Sequence, residues 1–126
     1  MKIAVVTGSR DWPSYGDIAH DLDQFAPDLI VHGKCTRGAD CYAEDYAIMK
    51  GIPRKHFHAN WKYAGKRAGP LRNHEMIKYA EDMDINKHQV KVFAYRLNES
   101  SGTSDCIRRA RVCGLDILVR DMVSEK

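Results

Sequence analysis

A chain of 126 residues, 44% apolar and 29% charged, has the size and composition of one globular domain that buries its own core. No apolar run approaches the roughly 18 residues of a membrane span, and "MKIAVVTGSR" turns polar too soon for a secretory signal, so a cytoplasmic protein is expected. The formal net charge of +3 is too mild to argue for duplex DNA binding and leaves room for a locally basic pocket.

The first element is "KIAVVTG" (Lys2 to Gly8), a continuous β-branched run expected of a strand buried on both faces. Ile18, Leu22 and Phe25 then recur at helical spacing, and Pro27 stops that helix. "DLIVHG" (Asp28 to Gly33) reads as the second strand. Ala39, Tyr42, Ala43, Tyr46 and Ala47 form one apolar helical stripe, closed by a left-handed Gly51. A short strand is expected around "RKHFHA", followed by a helix from about Gly69 to Met83 with Pro70 in its first turn. "QVKVFAY" (Gln89 to Tyr95) is the fourth strand, and "GTSDCIRRARVCG" a loop and helix closed by Gly114. "LDILVRD" is the fifth strand.

Strands and helices alternating at this spacing predict βαβ units, hence an α/β fold. The expectation is a single Rossmann-like, doubly wound domain over residues 1–126, with a mainly parallel five-stranded sheet flanked by helices. Four cysteines stand at 35, 41, 106 and 113 without a C-x-x-C pair, so they read as reduced packing residues. His56 and His58 alternate on the short strand, a poor metal motif; neither a metal nor another cofactor is expected.

In a doubly wound sheet, ligands sit outside the carboxyl ends of the strands. The loops at those ends are therefore informative. "TGSRDW" offers Gly8 for close approach, the Ser9 hydroxyl and the planar fork of Arg10. "HGKCTRGAD" brackets four residues between Gly33 and Gly38 and opens a helix at Ala39 and Asp40. The Lys-Ser/Thr of a Walker loop is absent, but glycine turns feeding a helix start favour an anion. Asp40 reads equally as a helix cap. No G-x-G-x-x-G occurs, which argues against a dinucleotide dehydrogenase.

"NWKYAGKRAGPLRNHEM" supplies Lys66, Arg67, Gly69, Arg72 and Asn73, and "RLNESSGTSD" leads to a helix start at Gly102 and Thr103 with Asp105 in its first turn. Trp61 and Tyr63 read as core residues or as base-stacking ones. Four such loops on one face fit a phosphorylated, sugar-containing ligand better than a solvated basic surface.

"GSRDW", "HGKCTRGADCYAEDYA", "YAGKRAGPLRNHEM" and "SSGTSDCIRRA" occur in that order over nearly the whole chain. This set resembles the YAcAr-type family of the SLOG superfamily. That superfamily includes the Lonely guy phosphoribohydrolases and the Smf/DprA DNA-processing proteins. The resemblance implies a nucleotide-type ligand at the strand ends. The phosphoribohydrolases carry R-K-x2-M and P-G-G-x-G-T-x2-E. Here "RNHEM" keeps Arg72 and Met76 but has Asn73 for the lysine. "SSGTSDC" keeps Gly102 and Thr103, and Cys106 stands where the glutamate would be. Asp105 is one residue early, about 100° around a helix, and Asp40 is a second carboxylate.

The resemblance implies hydrolysis of an N-glycosidic bond, with Arg72 and Asp105 in catalysis. The ligand would be held by Gly8, Ser9, Arg10, Gly33, Gly38, Ala39, Asp40, Lys66, Gly69, Asn73, Gly102 and Thr103. The alternative is a nucleotide or ADP-ribose-type sensor that binds without cleaving. The mild charge and the lack of an interleaved aromatic and basic groove speak against single-stranded DNA. By resemblance, a homodimer or higher homo-oligomer is expected.

Overall fold

The computed structural model describes residues 1–34 and 37–124. Cys35 and Thr36, in the loop after the second strand, lie outside the described residues. The architecture is α/β. The central strand β1 (Lys2–Gly8) pairs in parallel with β2 (Leu29–His32) on one side and β4 (Gln89–Leu97) on the other. Val5 stands opposite Val31 of β2 and Val92 of β4. β3 (Arg54–His56) and β5 (Asp116–Met122) complete an all-parallel sheet of order β3-β2-β1-β4-β5.

Helices cover both faces, and the alternation of β1 explains how. Ala4 and Val6 pack with Ile18 and Leu22 of α1 (Tyr15–Phe25) and Ala43 and Ala47 of α2 (Ala39–Lys50). Ile3 and Val5 face the other way, onto Met76 and Ala80 of α4 (Ala68–Ile85) and Cys106 and Ala110 of α5 (Ser101–Val112). A strand buried on both faces has no polar positions to alternate, which is why β1 reads as an unbroken apolar run. A four-residue helix, α3 (Trp61–Ala64), and a 3-10 turn (Gly65–Arg67) lead into α4. None of the described helices is long and apolar enough to cross a membrane.

Several boundaries differ from the sequence expectation for local reasons. α1 ends at Phe25 because Ala26 adopts a left-handed conformation (φ 55°) one residue before Pro27. β3 is only three residues long, so His58 lies beyond it. α5 begins at Ser101, ahead of Gly102 and Thr103. Asn98 and Glu99 are both left-handed (φ 52° and 54°), reversing the chain directly after β4. Asp105 is therefore in the second turn of α5 and not in its first. Asp40 is not a cap either: Gly38 holds the N-cap position of α2.

Candidate functional site

The chain runs outward from β1 through β2 to β3, then returns to lay β4 against the other side of β1. The helices after β1 and β4 leave on opposite faces. This is the switch point of the sheet, where a crevice opens outside the strand ends. A cavity of about 1010 Å³ lies there, floored by Thr7 and Gly8 of β1 with Ser9 just beyond them, and by Leu97 of β4 with Asn98 just beyond it. That volume is at the upper end for small-ligand pockets.

A chain of hydroxyls crosses the crevice. Leu97 N–H donates to Ser9 Oγ (2.9 Å), and Ser9 Oγ lies 2.7 Å from Ser100 Oγ. Ser100 Oγ donates in turn to Thr103 Oγ1 (2.9 Å). Ser9 thus ties the end of β1 to the end of β4, and Ser100 ties both to α5. Thr103 lines the cavity but is 3% exposed. Neither Ser100 nor the Asn98–Glu99 turn stood out in the sequence, because their roles depend on long-range partners and backbone conformation.

Arg72 starts a second relay. Its Nη1 donates to the Gly33 carbonyl (2.7 Å) at the end of β2, and its Nε donates to Asn73 Oδ1 (2.8 Å). Asn73 Nδ2 donates to Gly102 O (3.3 Å) and Asp105 Oδ2 (3.1 Å). These donors and acceptors fix the amide orientation, since guanidinium cannot accept and carboxylate cannot donate. Asn73 is thereby engaged on both sides, as a link between Arg72 and Asp105. A side chain at Gly33 would put its Cβ 2.9 Å from Arg72 Cζ and 3.0 Å from Asp40 Oδ2. The bare backbone leaves room for both groups at the cavity rim.

Asp105 lies in the cavity wall, and the one-residue displacement does not remove it from the crevice. It is held by Asn73, by Arg109 Nε (2.8 Å) and by an ion pair with Arg108. Burial pushes its carboxyl pKa up, but hydrogen bonds from Arg109 and Asn73 outweigh that and hold it below the ordinary carboxylate range. Cys106, where the phosphoribohydrolase motif has its glutamate, is fully buried, and burial pushes its thiol up to about 11. It is inert packing. Cys41 and Cys113 are also free thiols, and Cys35 lies outside the described residues.

The mouth is lined by Arg10, Asp11, Lys66, Trp61 and Arg108, with Asp40, Gly69, Arg72, Gly102 and Asp105 further along the walls. Arg10 rests 5.6 Å from the Trp61 ring centroid. Trp61 is 49% exposed and not a core residue, and Tyr63, 91% exposed, stands clear of the cavity. Arg67 is exposed and does not line the cavity. Gly33, Gly38 and Ala39 lie behind the lining. Gly38 has φ 78°, and a Cβ there would collide with the Ser9 and Arg10 carbonyls. It lets α2 approach the β1 loop closely.

Behind the β2 end, buried His32 accepts from Lys34 N–H at Nδ1 (3.0 Å) and meets Glu44 Oε1 at Nε2 (2.8 Å). This fixes the start of the loop that presents Gly33. Among the described residues no group of three or more His, Cys, Asp or Glu is arranged to hold a metal ion.

Comparison with known proteins agrees with this architecture. Residues 1–63 match the YAcAr family, described as the YspA, cpYpsA-related SLOG family. Over 129 aligned residues the chain is 30% identical to the Gene 61 protein of Mycobacterium phage D29, covering 94% of this chain and 95% of that protein. No solved structure matches.

Proposed function

The chain belongs to the YspA, cpYpsA-related SLOG family, which suggests a nucleotide-related ligand, and from this we propose that it binds a phosphorylated nucleoside derivative in the switch-point cavity and hydrolyses its N-glycosidic bond. The observation that carries the proposal is the Arg72–Asn73–Asp105 relay in the cavity wall. It sets a carboxylate that stays ionised at neutral pH beside a pocket lined by Arg10, Lys66 and the start of α5.

An ionised carboxylate suits this reaction in one role. Departure of the base leaves positive charge on C1′ of the sugar, and Asp105 stabilises that charge or orients the attacking water. Water's oxygen bonds to C1′ while the C1′–N bond breaks, and the proton this water sheds passes to solvent. The base leaves with the electron pair and takes a proton from solvent. The products are the free base and the phosphosugar. Arg72 and the neighbouring cations hold the anionic end, and N–H groups at the α5 start add donors for phosphate. The chemistry as proposed uses no metal or redox cofactor.

The test is chromatographic detection of free base after incubation with a panel of ribo- and deoxyribonucleoside monophosphates and ADP-ribose. Release that disappears in Arg72→Ala and Asp105→Asn supports hydrolysis. Binding without release supports the second reading, a nucleotide or ADP-ribose-type sensor. One observation favours that reading: Arg108 and Arg109 already neutralise Asp105. The superfamily resemblance adds a homodimer or higher homo-oligomer to the proposal, checked by light scattering coupled to size exclusion.

A further inference from the structure

The two tryptophans are placed in opposite ways. Trp12 is 2% exposed, packs against Tyr95 in a tilted pair with ring centroids 5.4 Å apart, and donates from Nε1 to the Ser14 carbonyl. It is a core residue with its polar atom satisfied. Trp61 has half its surface in solvent, in the wall of the cavity. Leaving half of a large indole exposed forgoes about half of its burial energy, so packing alone does not account for its position. The surroundings nevertheless hold it in place. Asn60 caps α3, accepting from Tyr63 N–H at 3.1 Å. The ring leans on the start of α4, where a Cβ at Gly69 would fall 3.1 Å from its Cη2 atom.

Arg10 is the second half of the arrangement. Its guanidinium lies over the indole at 5.6 Å, and among the described residues it forms no ion pair. The neighbouring Asp11 is turned to Arg37. Arg10 therefore occupies an aromatic face with a charge that has no carboxylate of its own.

We propose that Trp61 is the base-reading wall of the cavity: a planar heteroaromatic ring stacks on its indole face, displacing Arg10, which moves to the ligand's anionic group. This rests on the reading that the cavity takes a phosphorylated nucleoside derivative, and it identifies the residue that separates a nucleotide from a bare phosphosugar. Stacking recognises any π-face, so it gives a preference for a base over none and only a weak preference among bases.

The test is calorimetric titration of the protein with adenosine monophosphate and with ribose 5-phosphate, alongside stopped-flow tryptophan fluorescence read before turnover. The expected result is that the nucleotide quenches emission and ribose 5-phosphate binds without quenching. Trp61→Leu should weaken nucleotide binding about tenfold to a hundredfold and leave ribose 5-phosphate binding unchanged. Trp61→Phe, which keeps a smaller stacking face, should lose the quench and recover part of the affinity. Equal binding of the nucleotide by wild type and Trp61→Leu overturns the inference while the cavity reading stands. Binding of neither ligand overturns both.

Discussion

The molecule holds a buried aspartate, Asp21, and a part-buried one, Asp105, each paired with arginine, and they are built for different purposes. On the α1 face, Asp21 takes a two-pronged pair from Arg120 of β5 (both contacts 2.7 Å) and a hydrogen bond from Tyr95 of β4 (2.9 Å). On the crevice, Asp105 takes Asn73, Arg108 and Arg109. Both carboxyls are held below the ordinary range although burial alone would raise them. The difference lies in connectivity. Asp21 joins α1 to β4 and β5, elements far apart in sequence, and does not line the crevice. Two of Asp105's partners are on its own helix, and it borders the cavity. The first cluster locks the edge strand to the core. The second holds a charge in an open site.

Removing each carboxylate should separate these roles. Asp21→Asn leaves the Arg120 charge without its partner; breaking a buried pair costs about 3–5 kcal/mol. Arg120 is 37% exposed and can turn to water, so the lower end, about 3 kcal/mol, is expected. Urea unfolding should report that loss, with base release per folded molecule unchanged. Asp105→Asn should do the reverse. Its stability cost should be about 1 kcal/mol, since the lost partners are local and partly exposed, while base release should fall about a hundredfold or more. Equal stability losses in the two variants would show that the clusters are structurally equivalent.

The sequence carried the crevice's location better than its wiring. Strand and helix alternation predicts the parallel sheet, and the strand-end rule then points to the loops that meet around Gly8, Arg72 and Gly102. What it could not carry was the use of each side chain. Asn73 reads as a ligand contact, but its amide links Arg72 to Asp105, reaching from α4 to groups of α5 that are 29 and 32 residues away in sequence. Gly33 and Gly38 sit behind the cavity, Gly33 making room for the Arg72 and Asp40 side chains and Gly38 letting α2 approach the β1 loop, roles a motif cannot distinguish from contacting a ligand. Asp105 falls in the second turn of α5 and not the first because the left-handed Asn98 and Glu99 reverse the chain early enough for the helix to begin at Ser101. The Asp21 cluster has no local signature in the sequence because Tyr95 and Arg120 come from two different strands.

Acid should also distinguish the clusters. A carboxylate with a depressed folded-state pKa adds stability that is present above its unfolded value, near 4, and is lost as pH falls through the folded value. Both aspartates follow that sign. The acid limb of stability, below about pH 4, should flatten most in Asp21→Asn and less in Asp105→Asn. Base release should show no acid loss between about pH 5 and 7, because Asp105 remains ionised throughout that range. An apparent pKa near 6 on that limb would assign the chemistry to another group.

The smallest effect is expected from Arg108. It is 68% exposed in its side chain, and an exposed ion pair contributes about 0–1 kcal/mol. Arg108→Ala should therefore leave the unfolding midpoint almost unchanged. Its position on both Asp105 and the cavity gives it a separate, measurable influence. If the Arg108 charge restrains Asp105, its removal should raise the rate of base release per bound ligand. If it instead holds the anionic group, ligand affinity should fall and become less sensitive to salt. Arg109, half-buried and on the other carboxylate oxygen, still orients Asp105 in that variant, so a change in kcat against a change in KM separates restraint from binding.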